Sequence, residues 1–206
     1  MFDFPPPDPA FEVSLANQGV SKGLRQTEGA QFLVRGEVAV GHAFVGLLWK
    51  NIDSTVASGE GHFYLGYRNR LAGFDVAATV GRHMQTNPVG HFDDDRYEFN
   101  LSVSRGFGRV TPRVSVTYSP DDFGGTGESL YAEAGATIGL FSHATFSANV
   151  SRRERVGGDD YTAFNAGVGY SFARHLSVDV RYYDTAQSAL GEVYEPRVVA
   201  LLRARF

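Results

Sequence analysis

The 206-residue chain contains no cysteine, and it has few methionines, one tryptophan and only two lysines, Lys22 and Lys50. Without cysteine there is no disulfide framework, thiolate metal site or thiol nucleophile. With so little lysine, arginine supplies nearly all the positive charge, and guanidinium is the better group where cation and carboxylate must pair in a confined space. No run of 18 apolar residues occurs, which excludes a membrane-spanning helix. The formal net charge of −4 argues against nucleic-acid binding, which needs a basic face. A mean hydropathy of −0.20 excludes little, because a membrane β-barrel is apolar only at alternate residues. The opening Met1 to Pro7 (MFDFPPP) has neither a basic start nor an apolar stretch, so it does not read as a signal peptide. If the protein is exported, the sequence is then a mature form behind an added initiator methionine.

What is abundant is Phe (16), Tyr (10) and Gly (24), a mixture that suits strands and aromatic girdles better than helices. The clearest single strand is the last, Pro196 to Phe206. Val198, Ala200, Leu202, Ala204 and Phe206 share one parity, while Arg197, Arg203 and Arg205 share the other. Successive side chains of a strand point to opposite faces, so this strand has one apolar and one charged face. A terminal carboxylate beside a buried Phe suits a soluble core poorly, whereas lipid on one side and a wet lumen on the other suit both faces.

The same alternation recurs along the chain. Residues 1–9 are proline-rich and read as an extended lead-in, with Phe2 and Phe4 able to tuck into a barrel mouth. Residues 10–206 then read as a single antiparallel transmembrane β-barrel of about twelve strands, all-β and without a helix. One run, Ala43 to Lys50, is apolar on both parities. Short turns are expected at Gly41-His42, Leu71–Gly73, Gly106–Arg109, Leu140–His143 and Ala173–His175. Long polar segments are expected at Gly19–Ala30, Asn51–Gly61, Gln85–Asp95, Ser119–Gly127, Arg153–Asp160 and Thr185–Glu195. Alternate connections of an antiparallel ring lie at the same end. The pattern therefore predicts one end of short periplasmic turns and one of longer extracellular loops. Twelve strands ~4.8 Å apart and tilted ~40° enclose a backbone diameter of roughly 24 Å.

The sequence also resembles the TorF-like porins, a family of proteobacterial outer-membrane proteins formerly described as conserved hypothetical proteins. The resemblance is carried by Asn17–Gly23 (NQGVSKG) with Gln26-Thr27, and by Gly46–Asp53 (GLLWKNID). Tyr118–Gly124 (YSPDDFG) and Leu130–Gly135 (LYAEAG) carry it further, all in the same order over nearly the whole chain after Ala10. Lys22 and Lys50 stand where the family more often has other residues. The resemblance implies a porin-like barrel in the outer membrane and leaves the solute open.

The polar parity carries the candidate functional residues: Glu12, Arg35, Glu37, Arg68, Asp75, Glu98, Arg113, Glu133, Asp179, Arg181 and Arg203. In a barrel they face the lumen, where pairs such as Asp179/Arg203 or Glu98/Arg113 could form a selective constriction, or could simply brace the wall. Aromatics at strand ends (Trp49, Tyr118, Tyr131, Phe172, Tyr182, Tyr183, Phe206) read as interface girdles. Asp93–Asp95 and Asp121-Asp122 lack the spacing of a calcium loop and read as solvated acidic loops. The six histidines show no metal-ligand spacing on one face, so no metal and no cofactor are expected.

The function this supports is passive diffusion of ions or small hydrophilic solutes through a narrow charged lumen. The expected partners are outer-membrane lipids and lipopolysaccharide, the permeating solutes, and the barrel-assembly machinery through the C-terminal strand. A plugged structural or adhesive barrel is the alternative. A lipid-modifying enzyme is less favoured: Ser142-His143 and His83 are the only starts of a catalytic constellation, with no evident third partner.

Overall fold

The computed structural model describes residues 5–54, 57–88 and 95–206. Its strands are β1 (Asp8–Ala16), β2 (Val20–Ser21), β3 (Leu24–Arg25), β4 (Gln31–Val40), β5 (Ala43–Asn51), β6 (Gly59–Leu71) and β7 (Phe74–Thr86). They continue with β8 (Asp95–Ser104), β9 (Val110–Asp122), β10 (Gly127–Phe141), β11 (Ala144–Arg155), β12 (Tyr161–Ser171), β13 (Leu176–Asp184) and β14 (Arg197–Arg205). All but β2 and β3 form one closed ring of twelve, each pairing with its neighbour in the chain and β14 pairing with β1. Reciprocal backbone bonds between Phe11 and Phe206 (3.0 and 2.9 Å) complete the seam, with Glu12 opposite Arg205 and Leu15 opposite Leu202. Closure matters because an open edge would leave N–H and C=O groups without partners in hydrocarbon.

The side-chain period of two sorts the ring as the alternation predicts. Phe11, Leu15, Leu47, Leu65, Phe99, Leu101, Val150 and Leu202 are exposed on the outer wall, whereas Ser14, Glu37, Glu60, Ser115 and Ser151 are buried within. The doubly apolar β5 has a simple explanation. Val45, Leu47 and Trp49 face outward, and Phe44 turns inward to pack edge-on against Tyr64, with ring centroids 6.2 Å apart. Glycines face both rings across the sheet, Gly46 opposite Tyr64 and Gly66 opposite Phe44, and a Cβ at either position would run into the ring.

The main departures from expectation are three. Strand β1 begins at Asp8 rather than Ala10, with Pro9 opposite Val38 at a point where β14 has already ended. A proline there forfeits no bond to a second neighbour. Strands β9, β10 and β11 run on into Ser119–Gly127 and Arg153–Asp160, leaving connections of residues 123–126 and 156–160 only. The long-and-short alternation is therefore pronounced elsewhere and faint between β9 and β12. The third difference is the β2–β3 hairpin inside the first long loop, which no alternation announced. The proposed tucking of Phe2 and Phe4 lies outside the described residues.

Candidate functional site: the barrel lumen

The inward parity builds two different interiors. Toward the long-loop end, side chains from six strands and the β2–β3 hairpin form a network around three carboxylates. Glu98 on β8 meets Lys22 of the hairpin, Arg96 (3.0 Å) and His83 (3.2 Å). Glu60 on β6 meets the other ring nitrogen of His83 (2.8 Å) and Lys50 on β5 (3.6 Å). Asp122 at the end of β9 binds Arg96 (2.7 Å) and Arg153 of β11, and it also accepts from the Phe123 backbone N–H (3.0 Å). His62 stacks on His83 with centroids 3.8 Å apart. All three carboxylates are nearly dry, and such charges persist in a low dielectric only when fully partnered.

The first long loop is part of this interior. Thr27 Oγ1 accepts from the Gly19 backbone N–H (2.7 Å), and Asp53 accepts from the Glu28 N–H (2.8 Å), which ties the loop base down. The tip, Ser21 to Leu24, turns through Lys22 and Gly23, both in the left-handed region, φ 51° and 86°. The loop from Lys22 to Gln26 is held at three points around the mouth. Lys22 reaches Glu98 on β8, the Lys22 carbonyl accepts from the Tyr161 hydroxyl on β12 (2.8 Å), and Gln26 accepts from Lys50 on β5 (2.7 Å). Those three strands are at least three places apart around the ring, so the loop spans the opening rather than lining one wall. Gly23 lies so near Ala163 that a Cβ would stand 2.5 Å from the alanine methyl. Above it, Leu24 packs on Tyr161, Ala163 and Tyr194, and Arg25 pairs with Glu192 (3.2 Å), so the last long loop covers the first. Burial lowers the Lys22 amine from its usual 10.5 to about 8, against the opposing pull of Glu98.

Beneath the hairpin lies a polar cavity of about 430 Å³, lined among others by Lys22, Arg113, Tyr131, Glu133, Asn149 and Arg181. Toward the short turns the ion pairs are as close, but most of their arginines are more exposed. Glu37 accepts from Arg35 (2.7 Å), Arg68 (2.8 Å) and the Tyr64 hydroxyl (3.0 Å). Glu12 meets Arg203 (3.1 Å) and Arg205 (2.7 Å). Arg113 pairs with Glu133, which also accepts from Tyr131 (3.0 Å). Arg181 holds Asp179 (3.1 Å), Asn165 (2.6 Å) and Ser147 (2.6 Å). Asp75 lies at the rim, 3.8 Å from Arg70.

The candidate residues thus share the inner face, but the two suggested pairs do not form. Register explains both. Asp179 stands opposite Leu201 and Arg203 opposite Ser177, so Asp179 turns to Arg181 and Arg203 to Glu12. Arg113 lies level with Ser104, whereas Glu98 lies one residue beyond Phe99, which is level with Tyr118, toward the other end of the barrel. Asp122 is a buried ion-pair partner and not part of a solvated acidic loop, because β9 carries it into the network. Asp95 pairs with Arg82 (2.6 Å), and Asp93 and Asp94 lie outside the described residues. Tyr131 and Tyr183 line the cavity instead of a girdle, since they share parity with Glu133 and Arg181. Sequence reading missed Lys22, Lys50, Glu60, Arg96, Asp122 and Arg153 as a unit. The available signal was that the chain's only two lysines both fall in this region, where Lys22 meets Glu98 and Lys50 meets Glu60.

Residues 6–204 match the family described as a bacterial protein of unknown function, Gcw_chp. The chain belongs to the Gcw_chp family. Among curated proteins nothing matches. Among solved structures the barrel resembles the KdgM porin at a TM-score of 0.66 and 8% identity, covering 96% of this chain and 98% of that one. It resembles the NanC porin at 0.61 and 10% identity, covering 95% and 97%. An outer membrane channel from Pseudomonas putida F1 matches at 0.54 and 11% identity, covering 96% and 92%. At these identities the likeness is one of fold: this Gcw_chp barrel has the architecture of porins.

Proposed function

We propose that this protein is an outer-membrane channel for passive diffusion of ions or small hydrophilic solutes, of the TorF-like porin kind. The observation that carries the reading is the sorting of the ring. A continuous apolar outer wall surrounds an inner face of charged and hydroxyl side chains that leaves a polar cavity of about 430 Å³. A soluble barrel would invert that sorting, and a lumen built only for rigidity gains nothing from water-filled space. Lipid and lipopolysaccharide surround the outer wall in this reading, and the β14 strand ending in Phe206 addresses the assembly machinery. The reading is non-enzymatic. Both ring nitrogens of His83 face carboxylates, leaving neither to activate a serine, and Ser142-His143 sits on an exposed turn.

One observation favours a second reading, a plugged structural barrel: the hairpin is braced at three points across the mouth. Single-channel recording of the refolded protein in a planar bilayer separates the two. Discrete, steady conductance steps are expected of the channel, and a folded barrel that inserts without passing current would leave the plugged reading in its place.

A further inference from the structure

Resting on the channel reading, we infer that the lumen selects anions and that its short-turn half is a run of guanidinium sites for small anionic solutes. The chain as a whole carries a net charge of −4, so a positive lumen is not inherited from composition. It arises from how the pairs are shared. Glu37 is divided between Arg35 and Arg68, and Glu12 between Arg203 and Arg205, each group having one more cation than anion. The Arg113–Glu133, Arg181–Asp179 and Arg70–Asp75 pairs are balanced and subtract nothing. In the long-loop half, Lys22, Lys50, Arg96 and Arg153 serve three carboxylates, without counting His83.

Which partner faces the water matters as much as the count. The Glu37 side chain is 8% exposed against 42% and 49% for Arg35 and Arg68. Glu133 is 14% exposed against 49% for Arg113, and Glu12 is 14% against 30% and 65% for Arg203 and Arg205. In each group the carboxylate is tucked against the wall and the guanidinium side is presented to the lumen. Asp179 and Arg181 reverse the order, at 28% and 14%. An anion moving along this surface meets N–H donors that are only part-used, since a guanidinium has five donors in a planar fork that fits carboxylate or phosphate oxygens. A cation meets carboxylates already filled by arginine, except at the rim, where Asp75 stands 3.8 Å from Arg70 and is 58% exposed.

The test is the reversal potential of the wild-type channel in a steep KCl gradient, because potassium and chloride move equally fast in bulk water and any offset reports the wall. Reversal toward the chloride potential is expected. Substituting both Arg35→Gln and Arg68→Gln leaves Glu37 unneutralised and is expected to move reversal toward potassium, whereas Glu37→Gln is expected to move it further toward chloride. Should the double variant fail to insert, Arg205→Gln at the exposed rim is expected to shift reversal in the same direction by a smaller amount. A conducting wild type that reverses at zero or toward potassium overturns the inference and leaves the channel reading standing. A barrel that inserts and shows no steps overturns the channel reading, and the inference falls with it.

Discussion

The two halves of the lumen use the same chemistry, arginine against carboxylate, for opposite ends. In the long-loop half Glu60, Glu98 and Asp122 are sealed from water beneath the β2–β3 hairpin, with their cations packed tightly around them. In the short-turn half Glu12, Glu37 and Glu133 are comparably covered, but their guanidinium partners stand in the lumen. The difference follows from what lies overhead. A loop folded across the mouth removes water and makes each charge depend on its partners, whereas an uncovered ring of strands leaves one side of every pair solvated. The first arrangement fixes a loop, and the second makes a surface. Salt-bridge geometry alone does not distinguish them, since 2.7 Å separates Arg96 from Asp122 and also Arg35 from Glu37.

The largest effect that would test this contrast is on stability. Asp122→Ala takes the carboxylate from Arg153, leaves Arg96 with Glu98 alone and removes the bond to the Phe123 N–H. Breaking a buried pair from one side costs on the order of 3–5 kcal/mol. Urea unfolding in lipid vesicles is expected to show a loss of that size, and a loss under about 1 kcal/mol would mean that water reaches the network.

The next effect is on the hairpin and depends on pH. The docked Lys22 amine titrates near 8 and a free one near 10.5, so the docked state holds fewer protons between those values. Docking is therefore expected to strengthen as pH rises through that window, by up to about 1.4 kcal/mol per unit, and to show no such slope below about 8. Glu98 and Arg96 from β8, Arg153 from β11, Tyr131 from β10 and Tyr161 from β12 face the tip, and burial outweighs the attraction of Glu98. Tryptic cleavage after Arg25, compared at each pH with a Lys22→Met variant, measures it. Slower cleavage of the wild type at pH 9.5 than at pH 8 is expected. Faster cleavage would mean that the ion pair, and not burial, governs the amine. Deleting residues 20–25 is expected to raise single-channel conductance severalfold, while an unchanged conductance would place the constriction elsewhere.

The ring was legible in the sequence because a half-apolar strand writes its period into every second residue, as in Val198, Ala200, Leu202 and Ala204 of β14. Strand length was less so. The polar Ser119–Asp122 stretch reads as loop by composition, yet it continues β9 because Ser119 and Asp122 each have a partner inside the barrel. The pairing of charges was illegible for a different reason. A parity assigns a residue to the inner face but not to a height, and the heights of Glu98 and Arg113 depend on register across β8 and β9. The hairpin could not be inferred at all from alternation, because β2 and β3 are two residues each and their support comes from strands far away in the chain. Lys22 and Lys50 did mark the place, as lysines in a chain that otherwise uses arginine.

The smallest effect belongs to the short-turn half and completes the contrast. Glu12 is shared by Arg203 and Arg205 where β1 meets β14, with Arg205 largely in water. Glu12→Gln keeps the shape of the side chain and leaves two cations that solvent can reach, so a cost of about 1 kcal/mol or less is expected in the same urea experiment. The same variant removes a negative charge from the rim and is expected to move reversal toward chloride. A loss as large as that of Asp122→Ala would mean that the β1–β14 seam depends on this carboxylate. The two halves would then differ in hydration but not in structural dependence on their ion pairs.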